Sequence, residues 1–209
     1  MEIVWLALFG VVVVSYLYFQ KEKRTVANCF RILALERNGR VRRSFWGFPQ
    51  VRFGDLGKEV LVSVQPSSIG SGEATRSFAL RYDSEYPEHF HFRLLNRSTQ
   101  TVFESMLGYR LIRIDEPVTQ QTLAVHCKDA NAISSLLTPD VLQNIVALRP
   151  GHTIEISLQN APFHDGQHWI ECPRLSVSVG TVLARPEEFE ILYTTLTDLD
   201  ERIRHLSDG

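Results

Sequence analysis

The first stretch of the chain has no polar stripe. Residues 3–20 read IVWLALFGVVVVSYLYFQ, eighteen positions without a formal charge, closed by Lys21, Lys23 and Arg24. As a helix rising about 1.5 Å per residue, that run is about 27 Å long, close to the hydrocarbon thickness of a bilayer. A buried helix in a small domain ordinarily leaves one face wet, and this run does not. A cleaved export signal would carry cations before its apolar core and small residues after it. Here Glu2 precedes the core, and Tyr16, Tyr18 and Phe19 close it. Trp5 near one end and the Tyr/Phe group near the other suit the two membrane–water interfaces, where a ring keeps its apolar body in lipid and its polar atom in water. The pattern predicts a transmembrane anchor with a basic flank over residues 1–24 and a folded domain over 25–209.

Past the anchor the hydrophobic period changes. VANCFRILALERNG, residues 26–39, places Val26, Phe30 and Leu33 on one helical face, with Asn38-Gly39 as the stop. Val60, Val62 and Val64 alternate as a strand, after turn residues Gly54-Asp55 and Gly57, and RSFALRY repeats the alternation with Phe78, Leu80 and Tyr82. HFHFRLL reads as a further strand, with His89 and His91 on one face. The connections are too short for crossover helices, so these strands are expected to pair antiparallel. LIRI and QQTLAVHC continue as strands from about residue 110. In KDANAISSLLTPDVLQNIVAL, Asp129 caps a first short helix, and Thr138-Pro139 ends it and opens a second. HTIEISL and PRLSVSVGTV alternate again. From Pro186, Phe189, Leu192, Leu196, Leu199 and Ile203 recur at spacings of three and four, the mark of an amphipathic C-terminal helix. The expected class is α+β: an N-terminal transmembrane helix, a mainly antiparallel sheet domain with two short central helices, and a C-terminal helix. Blocks 25–109 and 110–209 divide the domain, and no solenoid period is present.

Charge adds an orientation. The formal net charge is only -2, yet residues 21–52 hold nine basic side chains against Glu22 and Glu36, and the chain from Pro186 onward holds seven acids against Arg202 and Arg204. Lys and Arg beside a span are retained on the cytoplasmic side, which predicts a single pass through an inner membrane, the N-terminus outside and the domain in the cytoplasm. Cys29, Cys127 and Cys172 are three and widely spaced, as a reducing compartment permits. Lys21, Lys23, Arg24, Arg40, Arg42, Arg43 and Trp46 are the candidates for contact with the membrane surface, since anionic lipids attract juxtamembrane cations. A solvated basic face is the competing reading. The mixture of Arg with Phe45, Trp46 and Phe48 would suggest nucleic acid in a chain without an anchor, but beside one it points to lipid, and no nucleic-acid partner is expected.

The order of a strand with Thr122 to Val125, then KDANAISSLLTPDVLQNIVAL, IEISL, LSVSV and a terminal helix resembles a bacterial family of uncharacterised single-pass membrane-anchored proteins, mainly over residues 110–200. The resemblance implies the fold and the anchor and supplies no catalytic residues. The acidic and aromatic residues expected ahead of the strand are represented only by Asp115-Glu116-Pro117.

Candidate chemistry is sparse. FHDGQHWIEC offers His164, His168 and Cys172, whose side chains are of the types that bind zinc, but Asp165-Gly166 marks a turn where helical spacing does not converge. SSIGSGE lacks the Lys-Ser/Thr ending of a phosphate loop and is not followed by a helix. Ser134, Ser135, His126 and Asp129 become a triad only if they meet in space. No cofactor is expected. The reading is a non-catalytic scaffold or binding module at the cytoplasmic membrane surface, holding lipid through residues 3–20 and a protein partner through its sheet or C-terminal helix. Its alternatives are a membrane-tethered metal-dependent hydrolase using His164, His168 and Cys172, and an anionic-lipid sensor.

Overall fold

The protein's structure, a computed structural model, describes residues 2–43, 48–55, 58–66, 76–83, 86–96, 108–112, 123–148, 154–164, 169–180 and 185–207. Among them are four α-helices, α1 (Glu2–Glu36), α2 (Ala130–Leu136), α3 (Pro139–Leu148) and α4 (Pro186–Ser207). They accompany nine strands, β1 (Arg40–Arg43), β2 (Pro49–Asp55), β3 (Lys58–Pro66), β4 (Arg76–Asp83), β5 (Phe92–Asn96), β6 (Arg110–Ile112), β7 (Leu123–Cys127), β8 (Ile154–His164) and β9 (Trp169–Val179). The strands form one sheet in the order β1-β2-β3-β4-β9-β8-β5-β7-β6, every neighbouring pair antiparallel. The α+β class and the antiparallel pairing expected from the short connections are therefore present.

Register explains why the sheet has a dry face. Val51, Val62, Leu80, Val177, Ile156, Leu94, Val125 and Ile112 are cross-strand partners in turn, one row running from β2 to β6. A parallel row passes through Phe53, Val60, Leu175, Leu158, Phe92 and Cys127. Because side chains alternate across a strand, the two rows share one face. Val51, Val60, Val62, Val177, Ile156, Leu94 and Val125 on it are fully buried. The helices cover this face. α1 packs on β2, α4 packs on β9 and α1, and α2 and α3 pack on α4. Val26, Phe30 and Leu33 of α1 and Phe189, Leu192, Leu196, Leu199 and Ile203 of α4 belong to the same core, as the helical spacing predicts.

Two expectations change in detail. The apolar run and the 26–39 helix are one uninterrupted helix, α1, of 35 residues. No Gly or Pro lies between Gln20 and Val26 to break it. It stops where predicted: Asn38 takes a left-handed φ of 51°, and the Gly39 N–H donates to the Ala34 carbonyl at 2.7 Å, closing the last turn as a Schellman motif. Gly39 is needed for space, since a Cβ there would sit 2.9 Å from the Arg52 carbonyl oxygen. His89 and His91 do not share a strand face. Glu88–Phe90 is a 3₁₀ turn, and β5 begins only at Phe92. His89 is exposed and its ring lies against Phe90, whereas His91 is buried. The Asp129 cap is observed, its carboxylate accepting from the N–H groups of Asn131 and Ala132 at 2.9 and 3.1 Å. Among the described residues, no helix is long and apolar enough to cross a membrane. The side chains of Ile3, Leu6 and Ala7, which belong to the eighteen-residue run, lie outside those described.

Candidate functional site: a basic helix base and a groove on α4

The two halves of α1 meet different surroundings. Trp5, Phe9 and Tyr18 are 70%, 69% and 71% exposed, and Val11, Val12, Val14 and Leu17 are exposed with them. Val26, Cys29, Phe30 and Leu33 on the same helix are buried in the core. The boundary is marked by Phe19, whose ring meets Phe48 edge-on at 5.4 Å between centroids. Lys23 lies over both rings, its Nζ 5.1 Å from the Phe19 centroid and 5.8 Å from that of Phe48. Desolvated cation–π contacts of this kind are worth about 2 kcal/mol, and exposed ones about half as much or less.

Phe48 also fixes where the basic strand goes. β1 starts beside Gly39, at the end of α1 remote from the exposed half, and returns along β2 until Arg43 pairs with Pro49. Arg43 therefore lies at the same end as Lys21, Lys23 and Arg24. Arg40 pairs with Arg52 at the other end of the strand, about 10 Å back at the usual rise per residue. Arg40, Arg42 and Arg43 are all exposed. Trp46 lies outside the described residues.

A second feature is a groove of about 710 Å³ between α3 and α4, lined by Val141, Asn144 and Ala147 from α3 and by Ile191, Thr194, Thr195, Asp198, Glu201, Arg202 and His205 among others from α4. Ile191 is 52% exposed in it, while Leu199 at its floor is buried. Phe189, Leu192, Leu196 and Ile203 turn α4's apolar stripe inward, which leaves Ile191 on the outer face as an unpaid hydrophobe.

Chemistry-bearing groups elsewhere are tied into the structure. Asp200 is buried and accepts from the Tyr86 hydroxyl at 2.5 Å and from the Lys58 ammonium, and Arg204 reaches its second oxygen at 3.3 Å. The Tyr193 hydroxyl donates to Asp55 in the same region, and Arg37 pairs with Glu190 at 2.6 Å while lying 4.5 Å from the Tyr193 ring. Burial, opposed by the Asp200 carboxylate, holds the Lys58 ammonium below the ordinary lysine range. These contacts clamp α4 to the β2–β3 hairpin. Pattern reading passes over this cluster, although a signal exists: Asp200 stands one turn after Leu196, on the stripe that goes inside.

The polar face of the sheet carries several paired side chains, although Arg52 Nε is buried without a hydrogen-bond partner among the described residues. Arg93 pairs with Glu155 at 2.8 Å, Arg52 with Glu59 at 3.1 Å, and the Ser157 and Ser176 hydroxyls lie 3.0 Å apart. The serine triad does not assemble. The Ser134 and Ser135 hydroxyls donate to the Ala130 and Asn131 carbonyls of their own helix, and Asp129 is occupied as its cap. For the zinc candidates, β8 and β9 form a long hairpin in which His164 pairs with Trp169 and Cys172 pairs with Ala161. His164 and Cys172 thus hold strand positions of opposite parity, and the helical spacing that would converge them is absent. His168 and the side chains of His164 and Cys172 lie outside those described; among the described residues no three metal-ligating side chains form a group. Burial pushes the Cys29 and Cys127 thiols up to about 11, which leaves them protonated and unreactive.

No family model matches the chain, and no curated protein matches it. The fold is similar to the crystal structure of the mycobacterial trehalose monomycolate transport factor A, TtfA. The TM-score is 0.58 at 8% identity, over 87% of this chain and 96% of that one. At that identity the likeness is one of fold: an antiparallel sheet with helices packed on it.

Proposed function

We propose that this chain is a single-pass, membrane-anchored scaffold or binding module without catalytic activity of its own. Residues 3–20 of α1 lie in an inner membrane, the N-terminus is outside, and the domain faces the cytoplasm, where the α3–α4 groove receives a protein partner. One observation carries the reading: a single helix is exposed at Val4, Trp5 and from Leu8 to Tyr18, and buries Val26, Cys29, Phe30, Leu33 and Ala34 in a core. An aqueous surface gives no reason for so long an exposed apolar helix, because patches beyond a few hundred Å² mark interaction or membrane sites. Lys21, Lys23, Arg24 and Arg43 stand where that helix leaves the domain, as the retention of cations on the cytoplasmic side requires.

Alkaline carbonate extraction of native membranes, with protease protection of each end, tests the anchor. The chain should stay in the pellet, with the domain digested only after the cytoplasmic face is opened. Release into the supernatant would remove the anchor. The binding role is tested by isolating the full-length chain with its partners from those membranes, beside an Ile191→Glu form. The expectation is a stoichiometric partner lost from the variant, and retention by both forms would move the contact off the groove.

A further inference from the structure

Of the cations at the base of α1, two are used differently from the third. Lys23 is turned toward the domain and rests on the Phe19 and Phe48 rings. Lys21 and Arg24 are exposed on the other side of the helix. They line a groove of about 440 Å³ with Tyr16, Leu17, Gln20, Thr25 and Asn28. Side chains three and four apart on a helix are neighbours. The groove therefore runs between the ridge of Tyr16, Gln20, Arg24 and Asn28 and the ridge of Leu17, Lys21 and Thr25. Its lining contains two cations and no acid, and its lower end, Tyr16 and Leu17, is continuous with the exposed apolar half of α1. The Thr25 hydroxyl donates to the Lys21 carbonyl at 3.1 Å, which leaves the cations, the Gln20 and Asn28 amides and the Tyr16 hydroxyl as the lining groups that carry other polar hydrogens.

We propose that this groove holds one anionic glycerophospholipid, its phosphate between Lys21 and Arg24 and the start of its acyl chain against Tyr16 and Leu17. The inference rests on the anchor reading and deepens it, from a diffuse attraction of cations to a defined site. An ammonium and a guanidinium one turn apart match a single phosphate, Arg by its fork of N–H groups and Lys as a point charge. A juxtamembrane cation gains attraction to anionic lipid while its aliphatic stem stays along apolar surface.

The test uses the full-length chain in lipid nanodiscs of phosphatidylcholine with a minor fraction of phosphatidylglycerol, and native mass spectrometry of the released protein to count retained lipids. The wild type should keep one phosphatidylglycerol. Lys21→Gln/Arg24→Gln should lose it by roughly thirtyfold, the product of two juxtamembrane cations, with an unchanged circular dichroism spectrum. Arg31→Gln/Arg110→Gln removes the same charge from exposed positions elsewhere and should retain it. Equal loss from both pairs, or no preference for phosphatidylglycerol in the wild type, would overturn the site. Millimolar inorganic phosphate should leave the lipid in place, because it offers nothing to Tyr16 and Leu17; displacement would assign the groove to a free anion and overturn the lipid. A chain that never enters the nanodisc removes the anchor and the site together, whereas one that enters without lipid preference removes the site alone.

Discussion

Replacing Asp200 with Ala leaves the Lys58 ammonium buried with its main counter-charge gone. In the native chain Lys58 and Asp200 side chains are only 9% and 5% exposed, and the carboxylate also accepts from the Tyr86 hydroxyl. Breaking one partner out of a buried pair costs about 3–5 kcal/mol, mostly because the other is stranded. The lost Tyr86 bond to a charged acceptor belongs to the same network, so it is contained in that figure rather than added to it. The expected loss is therefore about 4 kcal/mol, or a fall in midpoint of about 8–16 °C for a chain of this size. Urea unfolding of the full-length chain in detergent micelles, followed by near-ultraviolet circular dichroism, measures it. A second variant, Lys58→Met/Asp200→Leu, removes both charges and should recover most of the loss, since apolar groups of similar volume commonly replace a buried pair without penalty. A loss below about 1 kcal/mol for Asp200→Ala, the level of a solvated pair, would refute the reasoning, because it would mean that Lys58 finds water.

Burial depresses the His91 imidazole below the ordinary histidine value, helped by Lys128 and opposed by Glu88. Below the ordinary value the unfolded chain takes up a proton that the native one does not. Stability should then fall as pH drops from the ordinary value through the lowered one, and a His91→Leu form should lose that slope in pH-dependent unfolding. For Lys58 the native value is also lowered, so the unfolded chain binds more protons between the lowered and ordinary values, and stability should rise with pH through that window. Gly39→Ala places a Cβ 2.9 Å from the Arg52 carbonyl oxygen and 3.1 Å from Phe53 Cβ, and should destabilise by about 1–3 kcal/mol in the same unfolding assay. Cys29 and Cys127 should resist alkylation at neutral pH until the chain unfolds, as read by mass spectrometry of iodoacetamide-treated protein.

What could be read from the sequence was what depends on local spacing. The alternation of Val60, Val62 and Val64 fixes a strand and its buried face, and the Asp129 and Thr138-Pro139 signals place two helices to the residue, because a cap is a bond between neighbours. Strand order was not legible. That β9 pairs with β4 rather than β5 depends on contacts a hundred residues apart. Lys58 and Asp200 stand 142 positions apart and carry no mutual mark in the chain. That residues 2–36 form one continuous helix was not legible for a different reason. Periodicity reports which face is apolar, and the exposed and core-facing stretches of α1 differ in that respect while the backbone hydrogen bonding runs on unchanged. Of the basic candidates, spacing could name Lys21, Lys23 and Arg24 as neighbours, but only the Phe19–Phe48 contact separates Lys23 from the other two.

Because α1 runs unbroken from Glu2 to Glu36, about 52 Å at the usual rise per residue, it behaves mechanically as a stiff rod clamped at one end. Whatever tilts or rotates the free half turns the clamped half by the same angle. The clamp includes β2, and through Arg37 and Glu190 it includes the start of α4. A rotation of the exposed segment by one residue's arc would carry Phe19 away from Phe48 and strain that grip, whereas a glycine hinge near Thr25 would absorb it. The chain has no such hinge, so the pose of the sheet relative to whatever surface holds residues 4–18 is set by the helix rather than left to a tether.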